Sequence, residues 1–201
     1  QVRTPNFKAW FGDWENDPKN ASQVVDKNGE PMVVYHGSRQ AGFTEFDESS
    51  DMFFTDRFDV AATYGSYDDV ELPSIDAEFY DEHEGVYSAF IVAKNPINAD
   101  FHGKTWFQSL DGMTADDVVS KAKRLNNDGA IIDNIIDIGR HGFVSDKGDS
   151  TVYAVFNSNQ IKSATDNTGE FNPTNPDIRF SRKAKNPITE GIKSAANDAK
   201  N

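Results

Sequence analysis

The sequence predicts an α+β fold in which a mixed or antiparallel sheet carries a few short helices. Short runs of β-branched and aromatic residues outnumber the helical patterns, and turn-forming residues separate them. Aromatic residues make up 12% of the 201 positions, too many for a chain that is disordered throughout. We expect a folded domain at residues 1–165, followed by a loop-rich extension and tail at residues 166–201, where apolar anchors become rare.

Several segments have the composition of strands. A hairpin is predicted where residues 24–25 and 32–35 flank Asn28-Gly29, because this pair favours the positive φ angles of a tight turn. Residues 86–93 form a nearly continuous apolar run, which predicts a strand buried on both faces. The remaining strand candidates are shorter β-branched runs at residues 130–132, 135–138 and 151–156.

Three segments predict helices, at residues 7–14, 57–64 and 115–125. The second lies between Asp56, a cap residue, and Gly65, a residue that often ends helices. In the third, Thr114 and Asp117 have the spacing of a capping box. Basic residues near its end would stabilise the helix by interacting with the negative end of its dipole. Its apolar residues Val118, Ala122 and Leu125 recur at helical spacing and fall on one face of the predicted helix.

Charge and composition exclude several classes of function. The net charge of −13, from 33 acidic and 20 basic residues, argues against a broad nucleic-acid surface but allows a small pocket for one nucleotide. Without cysteine the chain has no disulfide framework, thiolate nucleophile or zinc ribbon. The longest apolar run is about half the ~20 residues that a membrane-spanning helix needs. The chain starts at Gln1 with neither a charged region nor an apolar region of a signal peptide, so we expect that it carries no signal peptide and has no membrane partner. The chain has the character of a segment of a longer protein.

The first motif that can carry chemistry is Tyr35-His36-Gly37-Ser38-Arg39, at the end of a predicted strand. Because glycine has no Cβ, the amide and carbonyl of Gly37 can approach and clamp a planar carboxamide. His36 can hydrogen-bond a ribose hydroxyl, and Ser38 and Arg39 can reach phosphate or ribose oxygens. The alternative interpretation is a strand-end turn with a surface histidine.

The second motif is Phe53-Phe54-Thr55-Asp56, which leads into the helix that ends at Tyr64. Helical spacing places Ala61 and Tyr64 on one side, and a phenylalanine and a tyrosine brought together can sandwich an aromatic ring. Taken alone, these aromatic residues are more typical of a core. A third segment, residues 151–161, has the pattern of a strand with a polar end and carries no catalytic group by itself.

The order of these three blocks, over residues 33–162, resembles the ADP-ribosyltransferase family. It is most similar to the His-Tyr-Glu branch, which contains the poly(ADP-ribose) polymerases and the diphtheria-type toxins. The sequences that flank these blocks, around residues 12–16 and 175–178, resemble the ADP-ribosyltransferase modules of phage-encoded multidomain proteins. The resemblance implies a fold of split mixed or antiparallel sheets, NAD+ as co-substrate and no metal.

The resemblance also implies roles for individual residues. His36 would hold the adenosine ribose, the backbone of Gly37 the nicotinamide amide, and Ser38 the nicotinamide-side ribose. Phe53 and Tyr64 would flank the nicotinamide ring, with His36 and Tyr64 counted among the catalytic residues. The expected NAD+-binding set is completed by neighbours in the same two blocks, namely Arg39, Phe54, Thr55 and Ala61.

Two positions depart from the family pattern. The usual nicotinamide-binding serine aligns with Ala61, and the catalytic glutamate aligns with Val152. A carboxylate from the preceding loop, Asp149 or Asp146, is a candidate replacement, and Gln160 is a candidate ribose contact. Without the glutamate, chain elongation is disfavoured and transfer of a single ADP-ribose is expected.

The sequence therefore predicts an NAD-dependent mono-ADP-ribosyltransferase, a phage or toxin-type effector that acts in the cytoplasm of a host or target cell. Its acceptor is a host macromolecule, with protein favoured and nucleic acid not excluded, and an immunity or inhibitor protein is a further candidate partner. An NAD glycohydrolase and an inactive NAD- or protein-binding module are the alternatives. Residues 66–85 contain eight acidic residues and no lysine or arginine; we favour a solvated insertion over a target-selecting lid.

Overall fold

The computed structural model of the protein describes residues 1–40, 42–65, 85–140 and 148–179. The helices in these ranges are α1 (Pro5–Phe11), α2 (Phe58–Gly65) and α3 (Ala115–Arg124). The strands are β1 (Val34–Gly37), β2 (Met52–Thr55), β3 (Val86–Ile91), β4 (Pro96–Thr105), β5 (Gly129–Ile136), β6 (Ser150–Val155) and β7 (Ile161–Ser163). Most of the acidic stretch at residues 66–85, the candidate Asp146 and the tail from residue 180 lie outside the described residues.

The seven strands form one mixed sheet in the order β4-β5-β6-β2-β1-β3-β7, which confirms the α+β prediction. Only β4 and β5 run parallel to each other; the other neighbours are antiparallel. Strands β1 and β2, at the centre, are paired only between Tyr35 and Thr55. Four residue pairs join β1 to β3 and four join β2 to β6. The half of the sheet that ends in β2 and the half that begins with β1 are therefore joined at one residue pair and diverge next to it, which opens a cleft between β1 and β2.

Apolar side chains cover both faces of the sheet, as alternation along β6 shows. Val152 and Ala154 belong to a cluster that packs α3 against β4 and β5, whereas Tyr153 and Val155 belong to a cluster on the opposite face. A third cluster surrounds α1 and includes Phe7 and Trp10. Among the described residues no helix is both long and apolar enough to pass through a bilayer.

Helix α3 begins at the predicted residue, Ala115, and ends at Arg124, one residue before the predicted end. The Thr114 hydroxyl accepts from the amide of Asp117 at 3.3 Å, and the Asp117 carboxylate accepts from the amide of Thr114 at 2.9 Å, which confirms the capping box. Leu125 is the residue after the helix and is 57% exposed, whereas Val118 and Ala122 on the same predicted face are buried.

The ends of α2 differ from the prediction. The hydroxyl of Thr55 accepts from the amide of Arg57, whereas the Asp56 carboxylate accepts from the amide of Thr151 on β6. Asp56 therefore links the helix start to the sheet instead of capping the helix. Gly65 is the last residue of α2, and a Cβ there would lie 2.6 Å from the carbonyl oxygen of Gly85. Close approach of two backbones, rather than a left-handed cap, requires glycine at this position.

The strands follow the sequence with three local differences. The Asn28-Gly29 turn forms, but its flanks meet only in an isolated bridge between Val25 and Pro31, so the predicted hairpin is much shorter. Strand β3 is buried only from Ala89 to Ile91. The two short runs at 130–132 and 135–138 form one strand, β5, interrupted by a bulge at which Asn134 has a φ of 52°.

The segment at residues 166–179 has no helix or strand, as its composition predicted, but it is packed into the core. The ring of Phe171 is fully buried, with its centroid 4.9 Å from Phe7 and 5.6 Å from Trp10. The ammonium of Lys162 on β7 donates to the carbonyl of Asn175, and burial lowers the pKa of Lys162 to about 8. Part of the predicted extension after residue 165 therefore packs against α1 and β7.

Candidate functional site

A cavity of about 320 Å³ lies where β1 and β2 separate. Its walls come from the ends of β1, β2 and β6, from α2, and from the residues that follow β4 and β5. Eight of the residues singled out in the sequence line it: His36, Gly37, Phe53, Phe54, Thr55, Ala61, Tyr64 and Val152. The fold thus brings the three sequence blocks to one place.

Gly37 makes the close contact between β1 and α2. A Cβ at this position would lie 1.8 Å from the carbonyl oxygen of Ala61 and 2.8 Å from the Cβ of Tyr64, so no side chain fits. The amide of Ser38 donates to the carbonyl of Gly85 on the β3 side. Because hydrogen-bonded and non-hydrogen-bonded pairs alternate along an antiparallel ladder, the N–H and C=O of Gly37 point away from β3. They are directed to the side where β2 has separated, which suits recognition of a planar amide.

His36 is held in one orientation beside the cavity. Its Nδ1 lies 2.7 Å from the carbonyl oxygen of Phe53. A carbonyl oxygen only accepts, so Nδ1 carries the hydrogen and Nε2 of the neutral ring is an acceptor. Burial lowers the pKa of His36 and favours this neutral form. The ring is therefore prepared to accept a hydrogen bond from a hydroxyl group such as that of a ribose.

A second, more polar groove of about 440 Å³ shares His36 and Asp51 with the first cavity. Ser38 lies in this groove, where its hydroxyl accepts from the amide of Gln40. The charged side chains that line it are carboxylates, including Glu45 and Asp47. Such a lining favours hydroxyl donors over phosphate oxygens, and the groove is a suitable place for a ribose.

Two aromatic side chains face the cavity from different elements. The ring of Phe53 stands perpendicular to that of Trp106, with centroids 5.3 Å apart. Tyr64, at the end of α2, is 38% exposed, and its hydroxyl donates to Oδ1 of Asp137 at 3.1 Å. Burial and the charge of Asp137 raise the pKa of Tyr64, so the phenol stays protonated and keeps donating. Both rings line the cavity, so each offers an aromatic surface to a flat ring bound there.

Asp137 and Trp106 are cavity residues that the sequence reasoning missed. Asp137 directly follows β5 and is 4% exposed, with Oδ1 accepting from both Tyr64 and the amide of Gly139. The sequence Ile135-Ile136-Asp137-Ile138 could have indicated this residue, because an aspartate within an apolar run is expected to be buried, and aspartates are seldom buried without a partner. The indole Nε1 of Trp106 is buried and has no hydrogen-bond partner among the described residues.

Three further residues predicted from the sequence differ in their surroundings: Val152 and Phe54 line the cavity, and Arg39 does not. Val152 is buried and lies across from Thr55, so the wall at this position is apolar. Arg39 is exposed beyond the end of β1 and does not line either of the two cavities. Phe54 packs in the core, with its ring 5.4 Å from that of His36.

Neither Asp149, the candidate carboxylate from the loop before the third block, nor Gln160, the candidate ribose contact, is among the residues that line the cavity. Asp149 is exposed beside Gly103 of β4. Gln160 is saturated by structural bonds: its oxygen accepts from the amides of Phe156 and Asn157, and its nitrogen donates to two backbone carbonyls, of Val92 and Asp128. These bonds occupy the donors and acceptors of its side chain, which argues against the predicted ribose contact.

A comparison with protein-family models matches residues 26–171 to the family described as ADP-ribosyltransferase in polyvalent proteins. The match covers β1 through β7 and all the cavity residues named above. A search of the curated proteins and a search of the solved structures each found no match. Within the described ranges, no group of three or more His, Asp or Glu side chains is placed to hold a metal ion.

Proposed function

We propose that this chain, which belongs to the ADP-ribosyltransferase family of polyvalent proteins, transfers one ADP-ribose from NAD+ to a macromolecule and releases nicotinamide. The observation that carries the proposal is the arrangement of the Gly37 backbone, the His36 imidazole and the Tyr64 ring around one cavity. His36 and Gly37 are adjacent in β1 and Tyr64 lies in α2, and the three groups offer complementary chemistry to one ligand.

Each group has a task that its geometry supports. The N–H and C=O of Gly37 would hold the carboxamide of nicotinamide, and Phe53 and Tyr64 would enclose its ring. The Nε2 of His36 would accept from a ribose hydroxyl. Binding of this kind holds the glycosidic bond in a defined orientation, so that catalysis rests on positioning and electrostatics rather than on a protein nucleophile.

The finer parts of the proposal concern the branch and the acceptor. We assign the chain to the His-Tyr-Glu branch of the family, with His36 and Tyr64 as its first two residues and Val152 at the position of its glutamate. The net charge of −13 favours a protein acceptor, because extended nucleic-acid binding needs clustered cations. We place the acceptor in the cytoplasm of a host cell, reached by a larger phage or toxin-type protein, and include an inhibitor protein among its partners.

One observation favours a second candidate, a module that binds NAD+ without turnover. The residue at the family's glutamate position, Val152, is a buried valine that offers no charge to a reacting ribose. Loss of one electrostatic group of this kind commonly lowers a rate by about 10²–10³-fold. Turnover therefore has to be measured separately from binding.

The first testable prediction concerns Tyr64. In calorimetry with NAD+, Tyr64→Ala should weaken binding by roughly ten-fold, because an aromatic stacking contact contributes about 0.5–1.5 kcal/mol beyond burial. Nicotinamide release, followed by chromatography, should fall at least as much. The matched control is Leu125→Ala, which truncates another exposed apolar residue, at the end of α3; binding and release should stay unchanged.

The same measurements separate the candidates. Mass spectrometry of host proteins incubated with the wild-type chain and NAD+ should show a gain of one ADP-ribose. Nicotinamide release without such a gain would indicate a glycohydrolase, and NAD+ binding without release would indicate an inactive module. Absence of NAD+ binding by the wild-type chain would contradict the proposal.

A further inference from the structure

Asp137 is a buried carboxylate in an unusual environment. It is 4% exposed, and none of the described lysine, arginine or histidine side chains forms an ion pair with it. Taking a charge out of water without a cation is costly, so such groups are concentrated at functional sites. The two donors that it has, the Tyr64 hydroxyl and the Gly139 amide, both bind Oδ1. Within the described part of the chain, Oδ2 receives no hydrogen bond.

The bulge in β5 determines which face of the sheet Asp137 occupies. Ile132 pairs with Val152, but Ile135 pairs with Ser150, so the register shifts by one residue between them. In a regular strand Ile135 would face away from Ile132, yet both lie in the cluster that contains Val152. Two residues further on, Asp137 therefore falls on the same face as Val152, and both side chains line the same cavity.

The segment after β5 is tied to α2 at two points. The Tyr64 hydroxyl donates to Asp137, and the amide of Arg140 donates to the Thr63 hydroxyl at 2.9 Å. These bonds hold the Asp137 carboxylate next to Tyr64, whose ring we propose to pack against the nicotinamide of NAD+. A carboxylate pinned in this way is pre-organised with respect to anything bound against Tyr64.

Asp137 also forms part of the wall of a neighbouring cavity of about 430 Å³. Tyr64 and Trp106 belong to both cavities, and Phe107, 77% exposed, stands at the second one. A group in this position can face a bound ligand in the first cavity and an incoming molecule in the second.

We propose that Asp137 supplies the carboxylate of this active site, in place of the glutamate that the family carries at the position of Val152. The inference rests on the proposed function. The bond between C1′ of the nicotinamide ribose and the ring nitrogen breaks, and its electron pair neutralises the nicotinamide. The positive charge left on the ribose is stabilised by the carboxylate. The acceptor's oxygen or nitrogen then bonds to C1′, and the proton that it loses passes to Asp137 and on to solvent.

The test compares Asp137→Asn with the wild-type chain. Asparagine keeps the shape and an oxygen that accepts from Tyr64 and Gly139, but it has no charge. Nicotinamide release should fall by about 10²–10³-fold, while the Kd for NAD+ changes by less than about three-fold. The matched control is Asp111→Asn: Asp111 is exposed, and its φ of 52° is tolerated equally by asparagine, so its rate should equal that of the wild-type chain.

The outcomes distinguish this inference from the function on which it rests. If the wild-type chain releases nicotinamide and Asp137→Asn does so at a similar rate, the assignment of Asp137 is overturned and the proposed function stands. A parallel loss of NAD+ affinity and rate would make Asp137 a binding residue and overturn the assignment as well. If the wild-type chain releases no nicotinamide, both fall together.

A second pair of variants covers the case in which Asp137→Asn does not fold. Asp137→Glu keeps a carboxylate on a longer side chain, and Asp137→Gln has the same length without charge. The glutamate variant should be at least ten-fold faster than the glutamine variant. Equal rates in this pair would overturn the assignment.

Discussion

Two adjacent residues at the end of β1 have opposite requirements. His36 needs its whole ring, because Nδ1 donates to Phe53 and Nε2 remains an acceptor. Gly37 can have no side chain at all, because α2 occupies the space where a Cβ would lie. A short sequence motif thus encodes both an acceptor and a bare stretch of backbone at the edge of one cavity.

His36 leads to a prediction about pH. Burial lowers its pKa below the ordinary value of 6.5, so the unfolded chain takes up a proton on this histidine before the folded chain does. The stabilising contribution of the neutral ring is complete above about pH 6.5 and is lost progressively as the pH falls towards the pKa of the folded state. Urea unfolding at about pH 7.5 and about pH 5.5 should show a smaller decrease in stability for His36→Gln than for the wild-type chain.

The affinity for NAD+ should change in the same direction. A protonated His36 donates from both nitrogens and can no longer accept from a ribose hydroxyl. Calorimetry of the wild-type chain should therefore show weaker NAD+ binding at the lower pH, with little pH dependence in His36→Gln. Identical pH dependence in the two proteins would contradict the assignment of a neutral, buried His36.

Among the elements, α3 shows how local sequence sets a boundary. The Thr114 hydroxyl and the Asp117 carboxylate each bond the other's backbone amide, which satisfies two donors at the start of the helix. Thr114→Ala should lower the free energy of unfolding by about 0.5–2 kcal/mol, measured in urea, without changing NAD+ affinity. Ser120→Ala, at an exposed site inside the same helix, should leave stability unchanged or slightly higher. Equal effects of the two substitutions would show that the capping box contributes little.

Strand β5 shows where reasoning from an element's own sequence stops. Its two β-branched runs were recognised, but their union through a bulge was not, because one extra residue leaves no distinct trace in an apolar pattern. That one residue reverses the side of the sheet on which everything after it lies. Asp137 consequently belongs to the cavity wall, while a regular strand would have directed it to the opposite face.

For the molecule as a whole, the C-terminal part of the core depends on Phe171. This ring is fully buried against Phe7 and Trp10, so the segment after β7 closes the cluster around α1. Phe171→Ala should lower the free energy of unfolding by about 3–5 kcal/mol, a large part of the roughly 5–15 kcal/mol typical of a domain. Phe107→Ala, which truncates the same side chain at an exposed site, should have an effect near zero on urea unfolding. A small loss for Phe171→Ala would mean that the segment is not part of the cooperative core.

The amino-acid sequence alone was sufficient for features that depend on a few neighbouring residues. The capping box at Thr114 is of this kind, because Thr114 and Asp117 lie within one turn of each other along the chain, and the motifs that carry the family resemblance are likewise short. The opening between β1 and β2, the full hydrogen bonding of Gln160 and the placement of Asp137 beside Tyr64 required the folded chain. Each of these depends on strand register and on contacts between distant segments, where a shift of one residue exchanges the two faces of a strand without altering its composition.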